Sequence, residues 1–158
     1  MVEYARTLGC EYLLLGQHFV AKDVWTAMET ERVQDLKEYV DCVIKGIKSG
    51  VITYVAHPDV INFVGDDEIY CEEMKKICEV SKEYNLPLEI NFVGIRLGRH
   101  YPNPKFWEIA GGVGSPVVLG FDAHDVDAAG DRASIEVAME YVEKFNLNLL
   151  ERPTIKRI

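Results

Sequence analysis

The sequence predicts an α/β fold of parallel βα units, on two observations. Short apolar runs alternate with longer amphipathic ones at spacings of about 30–40 residues, the rhythm of strand–helix–strand crossovers. The residues able to carry chemistry fall just after the short runs, where parallel α/β folds build their sites.

The elements follow in order. Glu11 to Gly16 is a strand. Glu31 to Lys48 is a helix, with Val33, Leu36, Val40, Val43, Ile44 and Ile47 at helical spacing and Gly50 as a stop. Val51 to Ala56, rich in β-branched and aromatic residues, is the next strand. Asp67 to Tyr84 is a second helix, with acidic residues at its start, where the macrodipole favours them. Leu88 to Asn91 is a strand after Pro87, and Pro104 to Ala110 a short helix that Gly111 and Gly112 should end. Val117 to Gly120 is a strand, Gly130 to Lys144 a third long helix, and Leu147 to Leu150 a final short strand. Four or five such units suffice for a doubly wound sheet and fall short of the ~8 of a closed (β/α) barrel. No glycine-rich fingerprint follows a strand, which argues against a dinucleotide cofactor.

At 158 residues the chain suits a single domain, residues 1–158. With 48% hydrophobic and 27% charged residues its composition is that of a globular protein. Its net charge of −9 argues against a nucleic-acid partner, since neutralising phosphates takes a basic face. No apolar run approaches the ~18–20 residues of a membrane span, and the opening does not read as a signal peptide. The expectation is a soluble, cytoplasmic protein. Cys10, Cys42, Cys71 and Cys78 have neither Cys-x-x-Cys nor zinc-ribbon spacing and are expected as free, mostly buried thiols.

Position is the informative feature of the polar residues. The first strand runs into Gly16-Gln17-His18, the second into His57-Pro58-Asp59, the third ends at Asn91, and the fourth runs into Asp122-Ala123-His124. Three of the four histidines thus lie at one edge. Imidazole nitrogen with carboxylate oxygen suits zinc, manganese or iron, whereas calcium would want oxygen alone. Singly, each histidine reads more readily as a hydrogen-bonded core residue, and Asp-x-His as a turn or helix cap; together, on successive strand ends, they read as a metal site. Arg96 and Arg99 leave the same edge in a loop of an otherwise acidic chain. Arg96 stands open between a phosphate clamp and a solvated residue, Arg99 reads as solvated, and His100 as loop packing. Glu89 shares the parity of Asn91 and should need a cationic partner if buried. No serine sits in Gly-x-Ser-x-Gly.

Gly16-Gln17-His18, His57-Pro58-Asp59, Leu88 to Asn91 with Gly94 and Arg96, Tyr101-Pro102, and Gly120 to His124 occur in this order. The set resembles the polymerase-and-histidinol-phosphatase (PHP) family, in its histidinol-phosphatase branch, from about residue 8 to 145. The resemblance implies parallel βα units forming part of a distorted barrel of about seven strands, incomplete at the N-terminus. The chain would then be the C-terminal half to two-thirds of a phosphatase domain. The resemblance also implies up to three divalent metal ions, with His18, His57, Asp122 and His124 as ligands. Asp122 and His57 would serve catalysis, and Arg96, Asn91 and Tyr101 would hold a small phosphorylated substrate. L-Histidinol phosphate is the substrate it points to, and another small phosphate ester is the alternative.

The departures are the family's His-x-His opening, which is missing, and Phe121, which stands where the family has serine. They open a second alternative, a non-catalytic remnant acting as a binding or assembly subunit. Without its first strands the sheet should keep an open edge, and self-association through that edge is expected.

Overall fold

The computed structural model describes residues 2–20 and 24–158. The chain runs α1 (Val2–Thr7), β1 (Leu13–Leu15), α2 (Val33–Lys48), β2 (Ile52–Val55), α3 (Asp67–Glu83), β3 (Leu88–Asn91), α4 (Phe92–Arg96), α5 (Pro104–Val113), β4 (Pro116–Gly120), α6 (Val126–Ala129), α7 (Arg132–Lys144) and β5 (Asn148–Leu149). The five strands form one sheet in the order β1-β2-β3-β4-β5, every neighbouring pair parallel.

Spatial order equal to chain order settles the alternative left open by the strand count. A doubly wound sheet reverses direction at a switch point, and this sheet does not. It is compatible with an arc of a barrel. Helices α2, α3 and α5 pack side by side in sequence order. Leu88, Ile90 and Val117 are fully buried in one cluster with Leu36, Ile77 and Phe106 from those helices. The aligned register of β3 and β4 pairs Glu89 with Val118 and Asn91 with Gly120. Alternation therefore turns Glu89, Asn91 and Gly120 to the face opposite Leu88 and Ile90.

Most boundaries shift by a residue or two from expectation; three differences have clear causes. Helix α5 continues through Gly111 and Gly112 to a left-handed cap at Gly114 (φ 76°). A side chain at Gly111 would collide with the carbonyl of Phe145, so this glycine serves close packing rather than helix termination. The stretch after Asn91 forms the short helix α4, because the Asn91 side chain accepts from the N–H groups of Val93 and Gly94. Asp131 caps α7 in the same way through Ser134 N–H, so the helix begins at Arg132 rather than Gly130. The cysteines are free, but Cys78 alone is fully buried, and Cys10 is exposed.

The expected open edge is partly covered. Beyond β5, the chain crosses back to the β1 side of the sheet. There Arg157 forms an antiparallel bridge with Tyr12, and Ile158 N–H donates to the Glu11 carbonyl at 3.1 Å. Lys156 N–H reaches the Thr53 hydroxyl at 3.2 Å on the way. Tyr12 and Leu14 keep part of their surface exposed. Among the described residues, no helix is long and apolar enough to cross a membrane.

Candidate functional site

His18, His57, Asp122 and His124 line one cavity of about 410 Å³, together with Arg96, Arg99 and Tyr101. Parallel strands deliver them: each strand leaves the sheet at the same edge, and the loops beyond β1, β2 and β4 carry the histidines and the aspartate.

His18 and His57 lie side by side, ring centroids 4.9 Å apart. Their proximity depends on Gly16. A Cβ there would sit 3.1 Å from His18 Nε2 and 3.5 Å from His57 Nε2, in the space the rings occupy. Thr26 holds the His18 backbone: its N–H and hydroxyl both donate to the His18 carbonyl, at 2.9 and 3.1 Å. Thr26 carried no sequence signal, because its role depends on a hydrogen-bond partner eight residues away.

Burial, then the neighbouring His18, pushes His57 down to about 4, so its imidazole is neutral at physiological pH. Its Nδ1 is buried without a hydrogen-bond partner, an atom that a ligand would satisfy. His57 (φ 34°) and Asp122 (φ 43°) both adopt the left-handed backbone region, each two residues beyond its strand. Asn85 and Asn146 do so as well, where the chain leaves α3 and α7, an ordinary place for asparagine. For His57 and Asp122 the conformation is strained and must be held from outside.

The holder is β3. The Glu89 carboxylate accepts from His57 N–H at 3.1 Å and from Asn91 Nδ2 at 2.9 Å. Asn91 Nδ2 also donates to Asp122 Oδ2 at 3.1 Å. Gly120 makes room for this arrangement, since a Cβ there would overlap the Glu89 carboxylate. The cation expected beside Glu89 is replaced by these amide donors. Burial exceeds their help and raises the Glu89 carboxyl to about 7.

Asn91 was expected to touch substrate. Its oxygen caps α4 and its nitrogen binds Glu89 and Asp122, so it orients Asp122 instead. Asp59 likewise points away from the cavity. It is fully buried, accepting from Asn103 N–H at 2.6 Å and Trp107 Nε1 at 3.0 Å, and burial raises it to about 7. Arg96 lines the cavity, but its guanidinium donates to Asp131 Oδ2 at 3.1 Å. Arg99 is exposed, as expected, and also lines the cavity beside Tyr101.

His124 Nδ1–H donates to the Asp122 carbonyl at 2.8 Å, which leaves Nε2 as the free nitrogen. Among the described residues, no three His, Cys, Asp or Glu side chains converge on one point; the donors come in pairs, His18 with His57 and Asp122 with His124. Their chemistry fits a borderline divalent cation: imidazole nitrogens, that of His57 neutral and its Nδ1 buried and unpartnered among the described residues, beside a carboxylate. No family model matches the chain, and no curated protein is significantly similar to it.

Proposed function

We propose that the chain is a portion of a metal-dependent phosphomonoester hydrolase of the PHP type, with L-histidinol phosphate as the first substrate to test. One observation carries the reading: strand ends far apart in sequence bring imidazoles, a carboxylate and two guanidinium groups into one cavity. Paired nitrogen and oxygen donors beside fixed cations are what phosphoryl transfer uses, since its catalysis is positioning and charge stabilisation.

His18 and His57 would hold one divalent cation, and Asp122 with His124 a second. Such cations supply Lewis-acid chemistry, lowering the pKa of water and offsetting charge on phosphate oxygens. The chain's own residues do the rest. His57 stays neutral and therefore able to donate a lone pair. Asp122, oriented by Asn91, can accept a hydrogen bond from the attacking water and steer it. Arg99 and the Tyr101 hydroxyl present N–H and O–H groups to the phosphate, while Arg96 borders the cavity, held by Asp131.

The test is phosphate release from L-histidinol phosphate and a panel of small phosphomonoesters, with Mn²⁺, with Zn²⁺ and after chelation. Turnover that needs metal and disappears in His57→Ala is expected. Metal binding without hydrolysis of any ester would favour the non-catalytic binding subunit.

A further inference from the structure

Two arginines border the cavity, and their surroundings differ. Arg96 is already engaged with Asp131, the residue that caps α7, and it shares that carboxylate with the Ser134 hydroxyl. Arg99 forms no ion pair among the described residues; its Nη1 donates to the Tyr101 hydroxyl at 3.1 Å. A guanidinium carries five N–H donors, so this contact leaves four for a ligand.

The loop that presents Arg99 is fixed at several points. Gly98 (φ 58°) turns the chain back, and Arg99 N–H donates to the Gly94 carbonyl at 2.9 Å. His100 Nε2–H donates to the Val60 carbonyl at 2.8 Å, and Asn103 N–H to buried Asp59 at 2.6 Å. Both anchors lie in the segment that follows His57, so the arginine loop and the histidine loop are tied to each other. The Tyr101 ring sits 6.2 Å from that of His57, and the Arg99 guanidinium carbon 6.0 Å from the Tyr101 centroid.

We propose that Arg99, tethered by Tyr101, is the cation that binds the ligand's anionic group, and that this group is a phosphate-monoester dianion. The ligand class rests on the hydrolase reading above. The choice of Arg99 over Arg96 rests on the geometry alone. Tyr101 has two roles here. Its oxygen accepts from Arg99, and its own proton remains free to donate to a phosphate oxygen. A planar fork with a neighbouring hydroxyl matches the bidentate geometry that phosphate prefers.

The test is an NMR titration of the full 158-residue chain with inorganic phosphate in the presence of chelator, so that binding reads the protein's own cations. Saturable shifts are expected in the wild type. Arg99→Ala should weaken binding by roughly 10- to 100-fold. Arg99→Lys should recover part of it, and Arg96→Ala should weaken it by no more than about threefold. Tyr101→Phe should weaken it several-fold with the fold intact by circular dichroism. Loss of binding in Arg96→Ala with retention in Arg99→Ala overturns the assignment, as does a wild type that shows no saturable binding. The hydrolase reading fails separately: a chain that binds phosphate through Arg99 but hydrolyses no phosphomonoester with added metal keeps the clamp and loses the reaction.

Discussion

Asp59 shows that a side chain's neighbours in sequence do not fix its role. It stands two residues from His57, yet it is buried between Asn103 N–H and Trp107 Nε1 and anchors the loop that carries Tyr101. Burial raises its carboxyl to about 7, so the folded state holds its proton more tightly than the unfolded chain does. That contribution to stability is complete below the ordinary carboxylate range and is lost as pH rises towards 7. Asp59→Asn cannot ionise. The difference in Tm between Asp59→Asn and the wild type should therefore grow in favour of the variant from pH 4 to pH 7, measured by calorimetry. A difference independent of pH would show that the carboxyl is not titrating there. Asp59→Ala orphans two buried donors and should cost on the order of 1–3 kcal/mol for each. Gly16 makes a complementary case. Gly16→Ala pushes against His18 and His57 with little else to disturb. It should reduce Zn²⁺ or Mn²⁺ affinity at least tenfold in a metal titration while changing Tm by only a few degrees.

At the level of elements, the long helices α2, α3 and α7 and the strands β2, β3 and β4 were legible, because apolar periodicity and β-branched runs mark buried faces directly. Convergence of His18, His57, Asp122 and His124 was legible for a related reason: parallel strands all end at one edge, so position along the chain predicts position in space. The short helices α4 and α6 were not, since each depends on one capping side chain, Asn91 or Asp125, rather than on a repeating pattern. The parts played by Asn91, Asp59 and Arg99 were also hidden. Each is decided by a partner on another segment, Asp122, Asn103 and Asp131 (which occupies Arg96 and leaves Arg99 available). Asp131 joins two elements, capping α7 and holding Arg96. Asp131→Ala should cost about 1 kcal/mol through the lost cap. It should also free Arg96, so that phosphate binding strengthens or stays level in the titration described above; a marked loss of binding would mean that Arg96 needs its aspartate to serve the cavity.

For the molecule as a whole, the sheet is parallel throughout and its β1 edge is covered only in part. The segment from Glu151 to Ile158 reaches that edge through Tyr12, Glu11 and Thr53. Deleting residues 151–158 should lower Tm, by roughly 2–4 °C for each kcal/mol lost in a chain of this size. It should also move the protein from its starting assembly towards larger species in light scattering, because an uncovered parallel edge is a template for pairing. An unchanged scattering profile would show that the bridge at Arg157 does not guard the edge.

The same bridge bears on biosynthesis. Within this chain the residues that reach β1 are made after every strand and helix of the sheet, so β1 lacks this contact until they emerge. During that interval neighbouring chains on one polysome are close enough to pair with it. Slowing synthesis of residues 151–158 should therefore lower the yield of soluble protein.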